Sequence, residues 1–346
     1  SDPGSRFPLE AAQDLDIGRN SIQEYSISPE NEYFSVSYGS HSENDRSVEL
    51  TLKKPLDREE QAEMSFSVIA VDGGSPPRSG TTHVNIIVLD VNDNAPVFTE
   101  KIYVGKVLEN SPEGTVVLSV LATDQDAGVN GEISYQLRQA VGQSDHPFTI
   151  DSMSGEIKLT RPLDFEAVET HELSVRATDG GGLSTVCKVL VEVVDVNDNA
   201  PELVVSSFSS PLPENTAPGT VVALFTVRDR DSGANGKISC ALEDQLFFSL
   251  RPAYKNYYEL VTVSALDHRE EQSEMGFSFI AVDGGSPPRS GTTQVHVVVL
   301  DVNDNAPIFS QEEYIGQVLE NMPEGSVVLS VLATDQDAGV NGDVSY

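Results

Sequence analysis

Short β-branched runs, separated by clusters of Gly, Pro, Asn and Asp, recur along the whole chain, and no window holds a helical period. Between residues 101 and 194 the runs read KIYVGKVLE, TVVLSVLA, EISYQL, PFTID, EIKLT, HELSVRATD and STVCKVLVEVV. Their spacing is roughly the 8 to 12 residues of a sandwich. The last run alternates cleanly. Cys187, Val189, Val191 and Val193 fall on one face, Lys188 and Glu192 on the other. Seven strands in about 100 residues predict an all-β, Greek-key sandwich.

The pattern repeats. DVNDNAP occurs at Asp90–Pro96, Asp195–Pro201 and Asp301–Pro307, spaced by 105 and 106 residues, the length of one small domain. Other strings recur between these marks in fixed order. LEN or PEN carries Glu109, Glu214 and Glu320, and a D-x-D pair follows (Asp124/Asp126, Asp229/Asp231, Asp335/Asp337). Next come Asn-Gly (Asn130, Asn235, Asn341), an L-D segment (Asp164, Asp267) and x-D-G (Asp179, Asp283). The front of the chain enters the cycle late, with Asp14, Asp16, Asn20, Asp57 and Asp72. The chain therefore divides into repeats at 1–94, 95–199 and 200–305, followed by a partial repeat at 306–346, in an elongated array.

Composition narrows the functions available. Asp and Glu outnumber Lys and Arg 55 to 21, a net charge of −34. Such a chain repels phosphate backbones and anionic lipid, so nucleic acid is excluded as a partner. With 38% hydrophobic residues, enough core material exists for folding rather than disorder. No apolar run approaches the ~20 residues of a membrane span, and the first residues carry no signal-peptide pattern.

DVNDNAP stands where one sandwich meets the next. Its proline restricts the preceding residue to extended backbone. A common linker would be neutral and flexible, but this one crowds two carboxylates and two asparagines, which repel one another unless protons or cations intervene. Ca²⁺ fits, because it accepts six to eight carboxylate, amide and carbonyl oxygens in flexible geometry; Mg²⁺ demands a tight octahedron. Zinc lacks paired His or Cys ligands here. The D-x-D turns are not EF-hands: counting from Asp124 puts Gly128 at position 5 and Val129 at 6, where the glycine belongs. One D-x-D alone would read as a solvated turn. Its recurrence beside each DVNDN favours metal.

DxNDNAPxF, LEN, LDxE, DxD, NG and xDG in this order resemble the calcium-binding motifs of cadherin repeats, over essentially the whole chain. VLENSPEGTVVLSVLATDQDAGVNGEISY, VDGGSPPRSGTT and RPAYKNYY are similar to the clustered protocadherins, with repeats like their second, third and fourth. The resemblance implies a neuronal adhesion protein, the extracellular part of a plasma-membrane chain whose signal peptide and transmembrane helix lie elsewhere. Its function would be calcium-dependent homophilic recognition, repeats pairing antiparallel with an identical chain on an apposed cell. A heterophilic or purely mechanical calcium-stiffened rod is the alternative. No small-molecule substrate is implied. The family is not enzymatic, and neither H-E-x-x-H, G-x-S-x-G, a P-loop nor G-x-G-x-x-G occurs.

The resemblance also implies about three calcium ions per complete joint. For the second joint the matching residues are Glu109, Asp164, Glu166, Asp195, Asn197, Asp198, Asp229, Asp231 and Asp283, with carbonyls of Val196, Asn199 and Asn235. The first joint matches through Asp57, Glu59, Asp90, Val91, Asn92, Asp93, Asn94, Asp124, Asp126, Asn130 and Asp179; the counterpart of Glu109 would precede Ser1. The third matches through Glu214, Asp301, Val302, Asn303, Asp304, Asn305, Asp335, Asp337 and Asn341. There ALDHREE holds one residue more than PLDREE, so Asp267 and Glu270 stand three apart and need a bulge to share an ion. Asp14, Asp16, Asn20 and Asp72 form half a site, and Glu320 belongs to a joint further on. Affinities near the weak end, roughly 10⁻⁴ to 10⁻³ M, would fill such sites only outside cells.

Other features read more plainly. Cys187 and Cys240 are expected as unpaired core thiols in different repeats. SYGSHSENDRS (37–47) is a polar hairpin or loop that borders the recognition surface if the protocadherin analogy holds, and no N-x-S/T sequon occurs. Residues 275–346 match 64–135 at 55 of 72 positions. The third repeat thus begins like a fourth protocadherin repeat and ends like a second. A recent duplication, a hybrid chain or a mis-assembled gene would each produce this.

Overall fold

A computed structural model describes residues 2–42, 45–138, 146–243, 246–266 and 273–346. The chain forms two compact units. One comprises Ser1–Lys106, Pro112–Arg161 and Thr170–Glu192; the other comprises Val107–Ser111, Pro162–Glu169 and Val193–Tyr346.

The first unit opens on a sandwich of two three-stranded sheets. One orders Arg6–Leu9, Asp45–Leu52 and Phe34–Ser42; the other orders Ile22–Ser28, Glu63–Asp72 and Ser79–Ile87. The strand period of two decides which residues enter the core. Met64, Phe66, Val68 and Ala70 alternate inward along Glu63–Asp72 and face Val48, Leu50 and Leu52 from the opposite sheet. Phe34 and Phe66 meet with ring centroids 5.8 Å apart. Each such side chain, fully buried, contributes about 1.5–3 kcal/mol against the entropy of ordering the chain.

The second sandwich has the seven strands expected from the apolar runs. One sheet orders Ser134–Arg138, Thr170–Thr178, Ser184–Val194 and Ile102–Leu108; the other orders Phe148–Ile150, Glu156–Leu159 and Val116–Ser119. Cys187, Val189, Val191 and Val193 are buried, as their alternation requires, and Cys187 is a free thiol. Burial in this apolar face pushes the thiol up to about 11.

The second unit contains the third sandwich, with sheet orders Glu202–Phe208, Val221–Arg228, Tyr257–Thr262, Phe248–Tyr254 and Leu212–Pro213, Ser290–Leu300, Glu274–Val282, Ser239–Leu242. Leu212 and Pro213 run parallel to Val299 and Leu300, whereas the other registered pairs of this sandwich are antiparallel. Phe225 and Phe279 lie at its centre, both fully buried, with ring centroids 4.7 Å apart. Cys240 is free and packs at the margin of this core. Beyond it, Ile308–Phe309 pairs with Ala333–Thr334, as Val97–Phe98 pairs with Ala122–Thr123 one cycle earlier. No helix among the described residues is long and apolar enough to cross a membrane.

Candidate metal centres

Each D-x-D forms the same local turn. The backbone N–H of the second Asp donates to Oδ1 of the first, at 2.9 Å in Asp14/Asp16, Asp124/Asp126 and Asp335/Asp337 and 3.0 Å in Asp229/Asp231. Asp is suited to this because its short carboxylate reaches its own backbone two residues on. The turn fixes the first carboxyl group and the backbone that carries the second.

The DVNDN segments meet these turns through a repeated set of bonds. In the first joint, Asn94 donates its backbone N–H and Nδ2 to Asp126, the latter at 2.8 Å, and Asn130 Nδ2 donates to Asp90 Oδ2 at 2.8 Å. In the second, Asn199 Nδ2 reaches Asp231 Oδ1 at 2.6 Å and Asn235 Nδ2 reaches Asp195 Oδ2 at 2.8 Å. In the third, Asn305 bonds Asp337 and Asn341 bonds Asp301 in the same way, at 2.6 and 2.8 Å. The first joint lies wholly in one compact unit, the second and third in the other.

The second joint is the most complete. Glu109, only 2% exposed, accepts the backbone N–H of Val196 at 2.7 Å and of Phe165 at 2.8 Å, which ties the L-D-x-E segment to the linker. Glu109, Asp164 and Glu166 form one group of acidic oxygens within 4.8 Å of one another, and Glu166, Asp198 and Asp231 form another. The crowding has an electrostatic cost. Burial above all, then Asp164, Glu109 and Asp198, pushes Glu166 up to about 7. Asp229 is likewise raised, by burial and by the neighbouring Asp231 and Asp283 carboxylates.

Several oxygens in these joints are buried and meet no hydrogen-bond donor among the described residues. They are Asn92 Oδ1, Asp124 Oδ2 and Asp179 Oδ2 in the first joint, and Asp195 Oδ1, Asn197 Oδ1, Asp229 Oδ2 and Asp283 Oδ2 in the second. Buried polar atoms are normally paired, and an unpaired one costs about 1–3 kcal/mol. Six of these form three equivalent pairs from one joint to the next: Asn92 with Asn197, Asp124 with Asp229, Asp179 with Asp283. The partner of each carboxylate is fully engaged elsewhere: Asp179 Oδ1 accepts Gly182 and Leu183 N–H, and Asp283 Oδ1 accepts Gly285 and Arg289 N–H. A donor set of oxygens alone, held in place by the bonds of its neighbouring atoms, fits a hard cation such as Ca²⁺.

The remaining expected ligands are placed as follows. Asp57 Oδ1 caps Glu59 N–H at 2.9 Å, and Glu59, Asp90 and Asp126 form a third acidic group. Asn110 and Asn199 hold the two Asp198 oxygens, Asn94 holds Asp93, and Asn305 holds Asp304 at 2.8 Å. The N–H groups of Asp93 and Asp198 bond back to the carbonyls of Val91 and Val196. Glu214 is buried and accepts Val302 N–H at 2.7 Å, as Glu109 does one repeat earlier. Asn303 is exposed, as is Glu320, which joins none of the acidic groups found among the described residues. In the half-site, Asp72 accepts Gly74 and Arg78 N–H, and Asn20 lies across Gly74. Asp267 and Glu270 lie outside the described residues.

Four residues escape the motif reading. Asn110, in the left-handed region at φ 57°, donates Nδ2 to Asp198 Oδ2 at 2.6 Å. The recurring third letter of LEN was its signal. Gly181 and Gly285, the second glycines of D-G-G, lie against the side chains of Asn92 and Asn197, where a Cβ would collide. Arg58 inserts among the acids of the first joint, 2.5 Å from Asp90 Oδ1 and from Glu59 Oε1.

Comparison with known proteins identifies the repeats. A family model for the cadherin domain matches residues 1–89, 103–194 and 208–300. The chain is 50% identical over 343 residues to human protocadherin beta-1, covering 99% of this chain and 42% of that protein. Among solved structures, protocadherin gamma B2 extracellular cadherin domains 1–5 align with a TM-score of 0.88 at 44% identity, over 99% of this chain and 65% of that one. Domains EC22–24 of mouse cadherin-23 align at 0.67 and 31% identity, over 87% of this chain and 93% of theirs. The chain spans less than half the length of the curated relative it matches.

Proposed function

The chain belongs to the cadherin family, and from that premise we propose that it serves calcium-dependent homophilic recognition between cells, as part of a protocadherin ectodomain at the plasma membrane. Its relatives are clustered protocadherins, adhesion proteins and not enzymes. The partner proposed is an identical chain on an apposed cell.

The observation that carries the reading is the set of equivalent buried oxygens, Asn92/Asn197, Asp124/Asp229 and Asp179/Asp283, that meet no donor among the described residues at either joint. We assign the calcium ligands to the acidic and amide side chains of 90–94, 195–199 and 301–305, to the D-x-D and x-D-G aspartates, and to the L-D-x-E and LEN acids. The division into repeats at 94, 199 and 305 follows, since each DVNDN then ends one sandwich and presents its side chains to the next. Ca²⁺, when bound, would supply the positive charge that these oxygens lack, and they would serve as its ligands. The residues do the rest: Glu109 holds the linker at Val196 to the segment at Phe165, Asn197 and Asn199 reach forward to Asp283 and Asp231, and Asp198 is held between Asn110 and Asn199. A joint fixed in this way does not lose linker entropy again when a partner binds.

Sedimentation equilibrium of this chain in millimolar calcium and in chelator tests the proposal. Self-association that requires calcium is expected. A monomer under both conditions contradicts homophilic pairing by this part of the molecule.

A further inference from the structure

Asn130, Asn235 and Asn341 are each followed by glycine, and no other Asn-Gly pair occurs in the chain. The fold requires both members of each pair. A Cβ on Gly131, Gly236 or Gly342 would collide with the carbonyl oxygen of Asp126, Asp231 or Asp337, so only glycine fits behind the asparagine. The asparagine donates Nδ2 to the first aspartate of the adjoining DVNDN. Asn130 reaches Asp90, Asn235 reaches Asp195 and Asn341 reaches Asp301, at 2.8 Å in each case. The same aspartate accepts a backbone N–H from the start of the turn, from Ala127 at 3.1 Å, Ser232 at 3.2 Å and Ala338 at 3.1 Å. One carboxylate thus pins each turn at both ends. The glycine nitrogen is held too in the second and third joints, where Gly236 donates to the Ser232 carbonyl and Gly342 to the Gly339 carbonyl, both at 3.2 Å.

The pair that the fold demands is also the pair most open to self-modification. The backbone nitrogen of glycine, unshielded by any side chain, attacks Cγ of the preceding asparagine. A bond from nitrogen to Cγ forms, the bond from Cγ to Nδ2 breaks, and ammonia leaves behind a five-membered succinimide. One water then opens the ring at either carbonyl, giving aspartate or isoaspartate. Water is the only co-reactant.

We propose that Asn130, Asn235 and Asn341 are deamidation sites gated by their own turns. While the linker aspartate holds Nδ2, Cγ cannot swing onto the glycine nitrogen, so attack requires the turn to open locally. Each event records one opening of a joint and persists after the turn recloses. The product also works against reclosure. Aspartate replaces a donated hydrogen bond with two facing carboxylates, which repel. Isoaspartate adds one atom to the backbone beside a glycine that has no room to move. The inference stands on hydrogen bonds within the protein and does not depend on the calcium reading.

The test incubates the whole chain in mildly alkaline buffer with chelator, folded and in urea, and follows its peptides by mass spectrometry that separates aspartate from isoaspartate. Conversion is expected at Asn130, Asn235 and Asn341, slower by roughly tenfold or more in the folded chain than in urea. Asn85 and Asn256, which precede Ile86 and Tyr257, should stay amides. Asp90→Ala releases the Asn130 amide and should speed conversion there by about three- to tenfold, the scale of one hydrogen bond, with Asn235 unchanged in the same molecule. Should that variant fold poorly, Asn130→Asp carries the test: hydrogen exchange over 88–95 is expected to quicken while 193–200 keeps the parent's rate. Equal conversion of the folded and urea-treated chains, or an Asn130 rate indifferent to Asp90→Ala, overturns the gate. No conversion at these three asparagines in either state overturns the sites themselves, and unchanged exchange in Asn130→Asp overturns the consequence drawn for the joint.

Discussion

The side-chain amide of Asn197 lies directly against Gly285, with Nδ2 in the space that a Cβ at position 285 would fill. From there Nδ2 donates to the Pro287 carbonyl at 2.7 Å and to Asp283 Oδ1 at 3.2 Å, while Oδ1 is buried and meets no donor among the described residues. Gly285→Ala therefore displaces Asn197, and the expected cost is about 1–3 kcal/mol, typical of overpacking a tight contact. Gly80→Ala is the control, since nothing lies within 4 Å of its Cβ. Denaturant unfolding in calcium should separate the two variants. Equal stability would show that the Asn197 contact is dispensable.

Asp198→Ala should act in opposite directions with and without calcium. Asp198 shares an acidic group with Glu166 and Asp231, so its removal relieves repulsion in the metal-free protein and deletes a ligand in the loaded one. The expected outcome is an unchanged or raised Tm in chelator, and a calcium requirement at least ~10-fold higher, since even supporting residues at metal sites are worth that much. A Tm lowered equally in both conditions would assign Asp198 a merely structural role.

The acid held at about 7, Glu166, makes the second joint sensitive to pH. Its folded value lies above the ordinary 4.5, so the protonated form is favoured by folding. That stability is fully present below 4.5 and is lost as pH rises through 7. The metal-free protein should accordingly lose stability between those values, and calcium uptake near pH 6.5 should release protons. Calorimetry in two buffers of different ionisation enthalpy reads the release directly. Glu166→Gln should reduce it, and an unchanged release in that variant would place the proton on another group.

Phe279→Ala tests the independence of sandwich and joint. Phe279 is fully buried against Phe225 and Tyr258, with centroids at 4.7 and 6.2 Å, and its truncation should cost about 3–5 kcal/mol. The loss should be the same in calcium and in chelator, because no ligand touches the ring. A loss that appears only in chelator would show that the core and the joint fold as one.

The strands were legible because their alternation is strict: every apolar run between 101 and 194 became a strand, and its inward residues form the core. The motif acids were legible because they recur with fixed spacing, and the structure brings Glu109, Asp164, Glu166, Asp198 and Asp231 together from four separate segments. What escaped was whatever acts through another residue. Asn110 and Gly285 carry no charge, and their purpose is visible only once Asp198 and Asn197 are placed beside them. Arg58 was passed over because a cation inside an acidic motif has no ligand chemistry of its own. The extra residue near Asp267 stays a question of sequence alone, since 267–272 lie outside the described residues.

The most direct test of the central claim is equilibrium dialysis of the parent chain and of an Asp195→Asn, Asp229→Asn, Asp283→Asn variant against radioactive calcium at about 1 mM, the upper end of the expected affinity range. These three residues each contribute a buried oxygen that meets no donor among the described residues. The account predicts that the parent binds several ions and that the variant loses about three of them while its sandwiches stay folded. Equal calcium on both chains, or none on either, would contradict it.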